Sequence, residues 1–166
     1  MTLEQKKRKK LMKPIFAILV MSLSPAPVLA AGTHAGGHMA LGEPARHEPT
    51  RTIQVVMTED YDGESVYTFD QKELNVSSGE TVRLHIINAG EEVHEFVMDS
   101  MEANAKHKEV MAKFPEMEHD DPNAVRLEPG QEAEIVWTFG KPGTFEFACL
   151  LPGHYDGGMR GALLVN

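Results

Sequence analysis

The chain has 166 residues, with 16 Lys+Arg against 25 Asp+Glu and a formal net charge of −9 at pH 7. Six of the basic residues and one acidic residue lie in the first 30 positions, so the remainder carries ten basic and 24 acidic side chains, a net charge of −14. This acidity argues against nucleic acid as a partner, because phosphate binding requires clustered Lys and Arg. The remainder has the length of a single domain with a proper core.

The first 30 residues have the three-part pattern of a secretory signal peptide. A basic stretch over residues 1–13 precedes an apolar run over residues 15–23, and Val28-Leu29-Ala30 offers small side chains for cleavage. We therefore predict a cleaved signal peptide at 1–30 and a periplasmic protein. The alternative is an uncleaved anchor, against which Pro25 and Pro27 argue. No apolar run is long enough to span a bilayer, so stable membrane insertion is not expected.

Residues 31–50 are rich in Gly, Ala, Pro and His and show no hydrophobic period. This composition predicts a flexible N-terminal arm. From residue 51 onward, short β-branched or alternating runs separated by Gly, Pro and acidic turns predict strands. These runs cover residues 52–57, 66–69, 74–76, 81–88, 93–98, 125–127, 132–139, 144–149 and 163–165.

The segment at about 99–122 differs, because Ala, Lys, Glu and Met replace β-branched residues. It predicts one helix or two short ones, ended or kinked by Pro115. Short strands with such turns are typical of a Greek-key β-sandwich. The fold class is therefore all-β, with a domain over residues 51–166 that one helical, Met- and His-containing insert interrupts.

The informative motif is a C-x4-H-x4-M sequence between the last two predicted strands, formed by Cys149, His154 and Met159. A cysteine, two histidines and a weak axial methionine are the ligands of a mononuclear type 1 copper site. The second histidine must come from elsewhere in the chain. His94 follows a turn at a strand end, whereas His85 lies in the middle of a strand, so we favour His94 and keep His85 as the competitor.

Other interpretations of the motif are weaker. Cys149 alone could be a buried thiol and Met159 a core residue. A dinuclear CuA centre needs two cysteines and the chain has one. Structural zinc sites are closed tetrahedral sets without a thioether. A cysteine hydrolase needs a His-oriented nucleophile on an accessible loop, and although Cys149 and His154 could imitate that pair, the methionine and the strand context argue against it.

On these residues the chain resembles the cupredoxins of the plastocyanin/azurin superfamily over about residues 51–166. The loop spacing is similar to the rusticyanin type, and the Met/His insert is most similar to the periplasmic copper-tolerance cupredoxins of bacteria. The resemblance implies that His94, Cys149, His154 and Met159 bind one type 1 copper. Glu95 departs from the small amide or hydroxyl residue that many cupredoxins have after the first histidine, and an ionised carboxylate cannot donate a hydrogen bond to the cysteine sulfur.

Further soft donors lie in the insert and the arm. Thioether and imidazole groups together favour Cu(I), so they are candidate secondary copper sites, with core packing and a solvated tail as the alternatives. For Met98 and Met101 we expect packing. If cleavage fell after Ala31, an imidazole at position three of the new terminus could help to bind Cu(II). The candidates for secondary sites are Met111, Met117, His119, His34, His38 and Met39.

Two functions remain open at this stage. The first is copper tolerance, in which the protein binds copper and transfers electrons or copper, with copper ions and a copper-handling protein as partners. The second is a dedicated electron shuttle to a partner such as a c-type cytochrome, which would dock on an apolar rim formed by Leu150, Leu151 and Pro152. An enzyme is the less favoured interpretation, although oxidation of cuprous ion at a surface Met/His site stays open.

Overall fold

In the described part of the chain, ten strands form two five-stranded sheets, which confirms the prediction of an all-β sandwich with one helical insert. The computed structural model describes residues 40–116 and 121–166. The helix α1 spans Met101–Met111, between the sixth and seventh strands. The strands are β1 (Gly42–Pro44), β2 (Arg51–Glu59), β3 (Tyr67–Phe69), β4 (Glu73–Val76), β5 (Thr81–Asn88), β6 (His94–Asp99), β7 (Ala124–Leu127), β8 (Glu132–Phe139), β9 (Gly143–Ala148) and β10 (Arg160–Val165).

The strand order places several strand ends at one edge of the molecule. One sheet has the order β1-β8-β5-β2-β3 and the other β4-β10-β9-β6-β7. β2 and β5 run parallel, with Met57 opposite Asn88, so the last residue of β2, Glu59, lies beside the loop that follows β5. That loop leads into β6, which pairs with the end of β9 through Val97 and Ala148.

The core lies between the sheets and follows the predicted alternation. Leu84 and Ile86 of β5 and Trp137 of β8 are fully buried, as are Phe96 and Phe147 of the facing sheet. Burying a large apolar side chain contributes about 1.5–3 kcal/mol. The bounds of β5 and β8 equal the predicted ones, because both strands alternate over eight residues between clear turn signals.

The prediction of a flexible arm over residues 31–50 is wrong for its later part. Gly42–Pro44 pair with Trp137–Phe139 as an edge strand, and the neighbouring Leu41 is fully buried. Gly42 has a φ of 131° and lies against the backbone of Thr138, where a Cβ would overlap the carbonyl oxygen. Residues 31–39 lie outside the described part of the chain.

The helical insert is confirmed, and among its described residues it forms one helix of eleven residues. The Ser100 hydroxyl caps it by accepting a hydrogen bond from the Ala103 N–H (3.2 Å), and the helix ends before Pro115. Its buried Asn104 donates to the carboxylate of Glu146 (3.2 Å), which fixes the helix to β9. Within the described ranges, no helix is both long and apolar enough to cross a membrane.

Candidate metal centre

Two strand ends and one loop bring three metal-binding side chains together. His94 is the first residue of β6, and Cys149 follows the last residue of β9. His154 lies in the loop between β9 and β10, where Gly153 and Gly158 adopt positive φ values of 89° and 105°. Such backbone conformations favour glycine, which lets the loop reverse direction twice within a few residues.

The three side chains form a buried group whose potential ligand atoms all lie within 4.8 Å of one another. The Nδ1 atoms of His94 and His154 are 3.1 Å apart, and the Cys149 sulfur is 3.5 Å from Nδ1 of His154. Burial and the neighbouring His94 ring lower the pKa of His154, so at neutral pH this imidazole is neutral and its nitrogen can bind a cation. Two imidazoles and one thiolate fit copper.

The fourth predicted residue, Met159, is fully buried at the end of the same loop. Its carbonyl oxygen accepts a hydrogen bond from the Cys149 N–H, and its own N–H donates to the His154 carbonyl oxygen, both at 3.0 Å. These backbone bonds close the loop on itself. All four residues predicted as the primary set are therefore buried at one end of the sandwich, three of them with their ligand atoms adjacent.

The Cys149 sulfur accepts a hydrogen bond from the backbone of the residue that follows His94. The Glu95 N–H donates to the Cys149 sulfur over 3.3 Å. Burial raises the pKa of Cys149 to about 12, so a bound cation must offset the cost of the buried thiolate. The Glu95 side chain is itself buried, and this raises its pKa to about 6 against the opposing effect of Arg126.

Two side chains that the sequence did not single out contact the histidines. The Glu59 carboxylate accepts a hydrogen bond from Nε2 of His94 at 2.8 Å, and its side chain is 3% exposed. The Tyr67 ring stacks on the His154 ring, with centroids 4.0 Å apart and planes within 5°. Both residues come from strands far from the ligands in sequence, so no local motif marks them.

The predicted apolar rim beside His154 is wrong for two of its three residues. Leu150 and Leu151 are buried in the core, because the loop folds inward directly after Cys149, whereas Pro152 is exposed. The surface beside His154 is instead formed by Tyr67 and by Glu92, whose carboxylate accepts a hydrogen bond from the tyrosine hydroxyl at 3.2 Å. Polar and aromatic groups therefore border the histidine.

The competitor His85 lies away from this group. It projects from the exposed face of β5, where its Nε2 is 3.0 Å from the carboxylate of Glu132. Of the candidate secondary ligands in the helix, Met111 is fully buried, which favours core packing, the alternative to a copper site. Met98 is buried as expected, whereas Met101 is 60% exposed and does not pack as expected. The other candidates for secondary sites, which lie outside the described residues, are His34, His38, Met39, Met117 and His119.

Comparisons with known proteins agree with this architecture. A family model described as copper binding proteins of the plastocyanin/azurin family matches residues 55–166. A copper-resistant cuproprotein CopI of Rubrivivax gelatinosus is 40% identical, over 80% of this chain and 81% of that protein. The protein of the same name from Pseudomonas aeruginosa is 32% identical, over 92% of this chain and 96% of its own length.

Solved structures with a similar fold include two auracyanins. The reduced auracyanin of Roseiflexus castenholzii has a TM-score of 0.59 at 29% identity, covering 72% of this chain and 99% of that one. An auracyanin B structure has a TM-score of 0.61 at 23% identity, covering 76% and 96%.

Proposed function

The chain belongs to the plastocyanin/azurin family of copper-binding proteins, and from this premise we propose that it is a periplasmic type 1 copper protein that supports copper tolerance. The observation that carries the proposal is the buried group of His94, Cys149 and His154. The tolerance role rests on the CopI relatives, which are named copper-resistant cuproproteins and align over most of their length.

In this proposal His94 and His154 would hold copper through Nδ1 and Cys149 through its sulfur, and Met159 would supply the fourth ligand, a thioether. Bound copper supplies a one-electron couple between Cu(II) and Cu(I). The protein holds the ligands at strand ends and in a loop closed by backbone hydrogen bonds, so their positions change little between the two oxidation states. The buried surroundings of the ligands exclude bulk water from the site.

The border of Tyr67 and Glu92 beside His154 bears on the choice between copper handling and a plain electron shuttle. An apolar docking rim would have favoured the shuttle, but of its three predicted residues Leu150 and Leu151 are buried and Pro152 alone is exposed. The acidic groups near the site, Glu92 among them, are suited to attract copper cations or a basic protein. Copper tolerance, with transfer of electrons or copper to a partner, is therefore the function we propose.

Growth in excess copper tests the tolerance role. A strain lacking the gene should become copper-sensitive, and expression of the wild-type protein should restore growth. The Cys149→Ser variant should fail to restore it, whereas His85→Ala, which changes a histidine outside the site, should succeed. Normal growth of the deletion strain in copper would contradict the proposal and would favour the electron shuttle.

The proposed location has its own test. Cell fractionation should recover the protein in the periplasm, and mass spectrometry should find Ala31 as its first residue. A protein that retains residues 1–30 in the membrane fraction would support the uncleaved anchor instead.

A further inference from the structure

We propose that Glu59 is a positioning residue. It holds His94 in the orientation that binds copper, and it favours the binding of Cu(II) over that of Cu(I). This inference rests on the proposed function, because it assigns His94 as a ligand. The observation behind it is a buried carboxylate 2.8 Å from Nε2 of His94, the ring nitrogen that faces away from the group of ligand atoms.

The carboxylate is fixed from several directions. One oxygen accepts the Glu91 N–H at 2.9 Å, and the other accepts both the Glu92 N–H at 3.0 Å and the His94 ring. The group next to His94 is therefore a carboxylate that accepts three N–H donors.

The loop before His94 is shaped around this carboxylate. Gly90 lies against it so closely that a Cβ at this position would overlap the carboxylate oxygens. Asn88 holds the loop from the other side, since its amide donates to the carbonyl oxygens of Glu92 (2.8 Å) and Leu127 (2.9 Å). The loop thus fixes the position of the carboxylate, and the carboxylate in turn restricts rotation of the His94 ring.

The hydrogen bond determines which nitrogen of His94 is available. When Nε2 carries the proton and donates it to Glu59, Nδ1 of His94 has a free lone pair. This lone pair is directed toward His154 and the Cys149 sulfur. A carboxylate partner also makes the imidazole a stronger donor, which stabilises the more highly charged metal ion. At His154 the corresponding contact is looser, because its Nε2 is 3.7 Å from the half-exposed carboxylate of Glu92.

The test compares Glu59→Gln with Glu80→Gln in the full protein. The glutamine at position 59 removes the charge and keeps an oxygen for His94. Glu80 is a suitable control because it also accepts a backbone N–H, from Ser77 (2.8 Å), and a side-chain donor, Arg51 (2.7 Å). It lies at the opposite end of β5 from the proposed copper site.

Glu59→Gln should weaken Cu(II) binding by about 10–100-fold, as outer-shell changes at metal-binding histidines do. Cu(I) binding should change less. Each tenfold loss of Cu(II) affinity relative to Cu(I) affinity raises the reduction potential by about 59 mV. The electron paramagnetic resonance spectrum of the Cu(II) form should change with it. Glu80→Gln should keep the wild-type affinity, potential and spectrum, whatever its effect on stability.

Wild-type values of potential, affinity and spectrum in a folded Glu59→Gln protein would overturn the inference. If that variant does not fold, Glu59→Asp serves in its place, because it keeps the charge but withdraws the carboxylate from His94. It should shift the potential in the same direction, and an unchanged potential in folded Glu59→Asp would also overturn the inference. Absence of an intense copper–thiolate absorption in the wild-type protein would instead refute the type 1 site itself.

Discussion

The strand ends around Cys149 and the helix α1 both contain soft metal-binding residues, and within the described part of the chain the two regions place these residues differently. His94, Cys149 and His154 are buried with their ligand atoms within 4.8 Å. In α1, Met111 is buried in the core while Met101 is 60% exposed at the other end of the helix. Residue type alone therefore does not identify a site. Convergence of backbone elements on one point does.

The largest expected effect comes from substituting His94 and, for comparison, His85. This pair tests whether a metal ligand must lie where backbone elements converge. His94→Ala should abolish the intense copper–thiolate absorption of the Cu(II) protein, because one of the three adjacent ligands is lost. His85→Ala should leave the absorption unchanged, since His85 contacts Glu132 on the exposed face of β5. Visible absorption spectra of both copper-loaded variants provide the measurement. A normal band in His94→Ala would contradict the ligand assignment.

The methionines of the helix provide the second comparison. Met111→Ala should lower the free energy of unfolding by about 2–5 kcal/mol, because it opens a cavity in the core. Met101→Ala should change it by about 0.5 kcal/mol or less, as surface substitutions do. Denaturant unfolding of the apoproteins measures both. Each variant should keep the copper–thiolate band, and loss of the band in Met111→Ala would show that the helix is part of the centre.

A smaller effect, on the rate of copper transfer, should come from changing Tyr67, whose ring stacks on His154. Tyr67→Ala removes the stacked ring, so we expect copper to pass more quickly to an external chelator. Tyr67→Phe keeps the ring and removes only the hydroxyl bonded to Glu92, so its transfer rate should stay close to that of the wild type. Stopped-flow transfer of copper to a chromogenic chelator compares the two. Equal rates in Tyr67→Ala and Tyr67→Phe would show that the ring does not shield the site.

The fold was predictable wherever the sequence carried a local period. β5 and β8 alternate between clear turns, and their predicted bounds equal the observed ones. β1 was missed because Gly-Glu-Pro has no strand propensity, and its pairing with β8 depends on residues almost one hundred positions away. The helix was expected from composition, but the burial of Met111 depends on how it packs against the sheet and not on its own sequence.

The metal centre was likewise predictable only where its residues lie close together in the sequence. Cys149, His154 and Met159 lie within eleven residues, so their spacing alone suggested a copper ligand set. The predicted strand at 52–57 stops short of Glu59, which is the last residue of β2. Its partners Glu91, Glu92 and His94 follow about thirty residues later, and only the parallel pairing of β2 with β5 brings them to it.

Titration of the apoprotein with Cu(II) is the most direct test of the central claim that these residues form a type 1 copper site. We expect an intense copper–thiolate absorption that saturates at one equivalent and is missing in Cys149→Ser. Further copper bound without added absorption would count the secondary sites predicted among Met117, His119, His34, His38 and Met39. No intense band in the wild-type protein would contradict the account and would leave Cys149 as a buried thiol.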